Sequence, residues 1–180
     1  MKQLLIMRHA KSCWKDESLA DHDRPLNPRG LDNAPRMGRF AAENSCLPET
    51  IFSSTAARAL ATAEMFLEGC QNKKDSDKSD GHGIGHNEID LTTKRSLYHA
   101  GFENYAEVIR TEAADQNRIM IVSHNPGSEE LVYQLTEQYE TMPTAAIAVI
   151  QFADDFHWHQ FDADCQAELV AIWRPKEVLT

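Results

Sequence analysis

Two unbroken apolar runs constrain this chain more than anything else in it. Leu4-Leu5-Ile6-Met7 stops at Arg8-His9, and Ile119-Met120-Ile121-Val122 stops at Ser123-His124. A strand with one wet face alternates apolar and polar residues, whereas a run without alternation is covered on both faces, as in a parallel sheet between helix layers. Ligands of such sheets bind at the carboxyl ends of the strands. An arginine and two histidines therefore stand where a ligand is expected.

Further strands are predicted at Thr50–Ser53, Ala145–Phe152 and Ala167–Trp173. Asp154-Asp155 reads as a turn, with Phe156–Phe161 extending a hairpin. Helices fill the intervals. Ser54 or Thr55 can cap one in which Ala56, Leu60, Ala63 and Leu67 share a face. Ser128 can cap another, with Glu129 and Glu130 in its first turn and Leu131 and Leu135 on its apolar stripe. Leu31–Glu43 is helical by pattern, and Asn33 as N-cap would leave Pro35 in the first turn, where proline is tolerated. The expectation is an α/β fold: a three-layer α/β/α sandwich whose central sheet is mostly parallel with an antiparallel edge. Residues 1–180 are read as a single domain. Residues 69–88 are polar, glycine-rich and nearly free of apolar side chains, so they are read as a flexible surface loop, with His82 and His86 solvated in it.

The net charge of -10 argues against wholesale binding to nucleic acid. A basic pocket inside an acidic chain selects a compact anion instead. The four cysteines (Cys13, Cys46, Cys70, Cys165) form no ligand-like pair and read as reduced thiols. The apolar stretch before Arg8 is shorter than the roughly 7–15 residues of a signal-peptide core, and no run approaches the roughly 20 residues of a membrane span. The expected location is the cytoplasm, with no membrane partner.

Three strand-to-loop junctions carry chemistry suited to one phosphate. The first is Arg8-His9. The second follows the Ile51-Phe52 strand and puts Arg58 about one turn into a helix. The third is Ser123-His124-Asn125-Pro126-Gly127. If the strands are parallel, all three open on one edge of the sheet. Arginine offers forked donors that match a phosphate, and neutral histidine is a nucleophile. The division of labour that follows gives His9 the phosphoryl group, sets Arg8 and Arg58 on its oxygens, and has His124, if protonated, add a donor; water then hydrolyses the intermediate. No metal or cofactor is called for, because these side chains carry the neutralising charge. Lys11 and Ser12 lie close enough in sequence to touch the phosphate, and Asp21 and Asp23 are the acids available on the loop after His9. Taken singly, Arg58 could be a surface residue and His124 a capping histidine before a turn; the combination outweighs both.

With these residues the chain resembles the histidine phosphatase superfamily, also called phosphoglycerate-mutase-like. Arg8-His9-Ala10 matches its Arg-His-Gly signature with alanine in third place, and Arg58 and His124 match its other two pocket positions. Within it, Arg8-His9-Ala10-Lys11-Ser12, Asp23-Arg24-Pro25-Leu26, Leu97-Tyr98 and Met142-Pro143-Thr144-Ala145 are similar to the small SixA-type phosphohistidine phosphatases. The resemblance implies a phosphohistidine intermediate on His9 and a phosphohistidine-containing protein, of the phosphotransfer-domain type, as substrate. Many members place a glutamate acid after the third strand; here that stretch reads Ser96-Leu97-Tyr98-His99. An alcohol leaving group needs protonation, whereas imidazole leaves more easily, so the missing carboxylate favours cleavage of a P–N bond. Two alternatives stay open: a phosphatase or mutase for a small phosphorylated molecule with Asp21 or Asp23 as acid, and a phosphate-sensing module without turnover.

Overall fold

The computed structural model describes residues 1–71 and 89–179. In chain order its elements are β1 (Gln3–Arg8), α1 (Pro28–Glu43), β2 (Thr50–Ser54), α2 (Ala57–Gln71), β3 (Asp90–Lys94), α3 (Phe102–Glu112), β4 (Arg118–Ser123), α4 (Gly127–Thr136), β5 (Ile147–Gln151), β6 (Glu168–Trp173) and α5 (Pro175–Val178), with single 3-10 turns at Asp21–Asp23, Arg95–Leu97 and Trp158–Gln160. The six strands form one sheet in the order β3-β2-β4-β1-β5-β6. The first four are mutually parallel, while β5 pairs antiparallel with both β1 and β6. This is the α/β sandwich with an antiparallel edge that the sequence predicts.

Successive side chains of a strand point to opposite faces, and the two apolar layers divide accordingly. Leu4 and Ile6 of β1 join Ile119, Ile121, Ala148 and Ile150 beneath α3 and α4. Leu5 and Met7 join Met120, Val122, Ile147 and Val149 beneath α1 and α2. The unbroken runs are unbroken because both faces are covered.

Several local expectations are corrected. Helix α1 begins at Pro28, not near Asn33, because Asn27-Pro28 is the stronger start: Asn27 Oδ1 accepts from Gly30 N at 2.9 Å and proline fits the first position. Pro35 therefore lies inside the helix. It faces α2, where a Cβ on Gly69 would fall 1.9 Å from the Pro35 carbonyl oxygen and one on Gly38 2.0 Å from that of Phe66. The two helices cross at backbone contact, which only glycine permits. Helix α2 starts at Ala57, past both predicted caps; Ser54 Oγ accepts from Ala56 N at 3.2 Å, and Thr55 is engaged by His22. Its buried face includes Ala59, Thr62, Ala63 and Phe66, one step round from Leu60 and Leu67. Ser128 lies within the first turn of α4, its hydroxyl donating to the His124 carbonyl at 3.2 Å instead of capping. Phe156–Phe161 forms no strand; Phe156, Trp158 and Phe161 fold inward on Phe152 and Phe102 as an aromatic cluster. His157 precedes that 3-10 turn and His159 lies in it, their rings stacked at 5.6 Å. Of the predicted 69–88 loop, residues 69–71 are the end of α2; the remainder, with His82 and His86, lies outside the described residues.

Candidate active site

The register places Arg8 of β1 opposite Ser123 of β4, and Ser53 of β2 opposite Val122. The three junctions thus open side by side on the carboxyl edge, and His9, Arg58 and His124 meet there. Arg58 lies in the first turn of α2, nearer its start than expected. All three are buried, at 8%, 5% and 4% exposure respectively.

His9 has a defined tautomer. Its Nδ1 is 2.7 Å from the Ala10 carbonyl oxygen, which can only accept, so Nδ1 carries the proton and Nε2 the lone pair. Arg58 Nε donates to that Nε2 at 3.2 Å. Burial, with the Arg58 and Arg8 charges, brings the His9 pKa down to about 4, against the pull of the Ala10 hydrogen bond. The ring is therefore neutral near pH 7. His124 lies 4.9 Å from it, centroid to centroid. Its Nε2 bonds Ser54 Oγ at 2.9 Å, while burial and then the His9, Arg58 and His99 rings and charges depress its pKa to about 3. Without a ligand His124 is therefore neutral, and only a nearby anion can make it the extra cationic donor foreseen in the sequence.

Arg8 Nη1 donates to the Met142 carbonyl at 2.8 Å, and Ala145 N returns to the Arg8 carbonyl at 3.1 Å, so the Met142–Ala145 loop holds the arginine in place. Burial lowers the Arg8 pKa, and the Glu129 charge opposes that. Arg8 Nε, His124 Nδ1 and Asn125 Oδ1 are buried with no partner among the described residues. Buried polar atoms are nearly always paired because leaving them unmade costs about 1–3 kcal/mol each. Their concentration at one strand edge marks a place where polar ligand atoms are expected.

Asp21 is drawn into this site and Asp23 is not. Arg58 Nη2 donates to Asp21 Oδ2 at 2.8 Å, Tyr98 OH donates to the same oxygen at 2.8 Å, and Arg58 Nη1 reaches the Asp21 carbonyl. Burial pushes the carboxyl pKa up, but the hydrogen bonds from Tyr98 and Arg58 and the Arg58 charge outweigh it, holding it below the usual range. Asp23 is 65% exposed and turned to His22 Nδ1 at 3.0 Å. Ser12 is buried, its hydroxyl accepting from Trp14 Nε1 at 3.1 Å, and the Arg24 guanidinium lies 4.0 Å over the exposed Trp14 ring. Lys11 is half-buried and its ammonium has no partner among the described residues.

Three residues at the site were given no site role from the sequence, Ser54 having been read as a helix cap and Tyr98 only as part of the resemblance. Ser54 ends β2, so the rule of strand carboxyl ends could have found it. Thr62 Oγ1 accepts from Ala10 N at 2.9 Å and donates to the Arg58 carbonyl at 2.6 Å, tying α2 to the loop after β1; nothing local signals it. Tyr98 follows the turn after β3 and packs edge-on against His124 at 5.4 Å. The stretch after β3 reads Arg95-Ser96-Leu97-Tyr98-His99, and a carboxylate reaches the pocket from Asp21 on the other side.

This arrangement can hold a tetrahedral anion between two guanidinium groups and present a neutral nitrogen lone pair to it. Comparison with known proteins agrees. Residues 4–79 match the model of the histidine phosphatase superfamily (branch 1). An uncharacterized protein of Mycobacterium tuberculosis is 29% identical over 174 residues, covering 89% of this chain and 95% of that protein. Among solved structures, a chain from Agrobacterium tumefaciens described as a candidate phosphohistidine phosphatase SixA superposes with a TM-score of 0.75 at 24% identity, covering 97% of this chain and 98% of that one. The protein histidine phosphatase SixA complexed with tungstate gives 0.72 at 18% identity, covering 97% and 98%. The architecture is thus the phosphoglycerate-mutase-like one. Over residues 4–79 the chain is similar to the histidine phosphatase superfamily, and over nearly its whole length it shares the fold of these structures.

Proposed function

We propose that this protein is a metal-independent phosphatase that hydrolyses phosphohistidine on a partner protein through a phosphohistidine intermediate on His9. One observation carries the reading: buried His9 is neutral, with Nδ1–H pinned to the Ala10 carbonyl and its Nε2 lone pair accepting from Arg58 Nε, and the Arg8 charge acts on the same ring. Arg58 Nε stands where the phosphorus arrives, so the incoming group displaces it from the ring and takes its N–H onto an oxygen. Arg8, through its unpartnered Nε, meets a second oxygen. The anion raises the pKa of His124, whose unpartnered Nδ1 then donates as well. A relative of this fold binds tungstate, a tetrahedral oxyanion.

The leaving group decides between a P–N and a P–O bond. An alkoxide has to be protonated as it departs, and Asp21, the carboxylate nearest His9 through Arg58, is ionised and paired, so it has no proton to give. Imidazole leaves without that help. A phosphohistidine peptide is expected to be hydrolysed at least about a hundredfold faster, in kcat/KM, than a phosphoserine peptide. Equal rates, or a preference for the ester, would replace this reading with that of a small-monoester phosphatase.

A further inference from the structure

Asp21 does more in this geometry than hold Arg58. The Arg58 guanidinium spans from His9 Nε2, which receives its Nε–H at 3.2 Å, to Asp21 Oδ2, which receives its Nη2–H at 2.8 Å. The carboxylate is therefore one guanidinium width from the attacking nitrogen, at the mouth of the pocket, and its charge is felt at both His9 and His124. Oδ2 is also occupied by the Tyr98 hydroxyl at 2.8 Å. Oδ1 is not: it accepts no hydrogen bond among the described residues, its nearest cation being Arg24 Nε at 3.8 Å. The Asp21 side chain is 41% exposed, so an arriving molecule can reach the carboxylate. A carboxylate fixed on one oxygen and open on the other is an acceptor awaiting a donor.

We propose that Asp21 Oδ1 accepts the ring N–H of the substrate's own imidazole, and so makes the site specific for phosphohistidine. The inference rests on the phosphohistidine reading given above. Phosphohistidine departs readily only when its second ring nitrogen is protonated, because the leaving imidazole is then neutral. In the first transfer, His9 Nε2 uses its lone pair to form the new P–N bond while the substrate P–N bond breaks. That electron pair goes to the substrate nitrogen, which leaves as neutral imidazole, keeping its other N–H on Asp21. No proton crosses to the bridging nitrogen, so no acid is required. In the second transfer, water attacks phosphorus, His9 recovers its pair as neutral imidazole with Nδ1–H intact, and phosphate departs as the dihydrogen monoanion carrying both protons of the water. Asp21 thus acts as base-side acceptor, the reverse of the acid role that its position on the loop after His9 suggests. Neutral alcohols and phenols have no such donor beyond the bridging atom and gain nothing from it.

The experiment compares wild type, Asp21→Asn and Asp21→Glu on a phosphohistidine peptide and on p-nitrophenyl phosphate, whose leaving group carries no N–H. In Asp21→Asn the ratio of the two kcat/KM values, phosphohistidine over aryl ester, should fall at least about tenfold, and Asp21→Glu should recover part of it. Loss of the same factor on both substrates would reduce Asp21 to a support for Arg58 and overturn the inference while leaving the phosphohistidine reading intact. So would Asp21→Glu doing no better than Asp21→Asn. A wild-type enzyme that cleaves the aryl ester but not the peptide would remove the reading and the inference together.

Discussion

The two flanks of the sheet are built on opposite terms. At the carboxyl ends of β1 and β4, Arg8 Nε, His124 Nδ1 and Asn125 Oδ1 are buried without partners among the described residues, and two buried histidines pack together with Arg58 on one of them. Beyond β5, Phe152, Phe156, Trp158 and Phe161 form a cluster whose one polar atom, Trp158 Nε1, donates to the Gln116 carbonyl at 2.7 Å. Burying unpaired polar atoms costs stability, and burying aromatic surface contributes it. The difference teaches that the polar edge is a local cost carried by apolar packing elsewhere, so, on the function proposed above, changes on one flank should register in chemistry and changes on the other in stability.

The most severe way to break that contrast is His9→Ala. Loss of the nucleophile should lower kcat/KM by about 10⁴-fold or more, equivalent to about 5.5 kcal/mol of barrier, while the midpoint of urea unfolding stays near that of wild type. Activity within tenfold of wild type would take the nucleophile's role from His9. Trp158→Ala should do the opposite, lowering unfolding free energy by about 3–5 kcal/mol with kcat/KM of the folded fraction kept within a few-fold. A matching loss of turnover would mean that the flanks are coupled.

The smallest effect is the dependence of stability on pH. Folded His9 titrates at about 4 and His124 at about 3, both below the ordinary imidazole value of 6.5. The unfolded chain therefore binds more protons than the folded one between those values. The stability contributed by keeping these rings neutral is present above pH 6.5 and lost as pH falls through the window, by up to about 1.4 kcal/mol per pH unit for each ring. Urea unfolding from pH 7 to 4 should show a shallower fall in His9→Ala than in wild type. Parallel curves would show that the ring is not buried in its neutral form.

Much of this was legible from local signals. The unbroken runs around Leu5 and Met120 revealed strands covered on both faces, and the abrupt stops at Arg8-His9 and Ser123-His124 marked the edge that carries chemistry. Helix starts were less legible. Asn27, Ser54 and Ser128 are all good caps by residue type, but only Asn27 caps, because the other two hydroxyls are turned to backbone near the pocket: Ser54 Oγ accepts from Ala56 N, and Ser128 Oγ donates to the His124 carbonyl. The Phe156–Phe161 stretch alternates like a strand, yet its rings were more stable folded onto Phe102 and Phe152 than paired along an edge.

By itself the sequence determined five of the six strands, missing β3, and which ends bear His9, Arg58 and His124, since each follows from a short run of neighbouring residues. Only the tertiary structure decided that Asp21 and not Asp23 turns inward, that Tyr98 shares its oxygen with Arg58, and that Ser54 meets His124. Those contacts join residues 37, 77 and 70 positions apart. Their existence depends on the order β3-β2-β4-β1, which brings the carboxyl ends of all four strands to one edge, and no local pattern encodes that order.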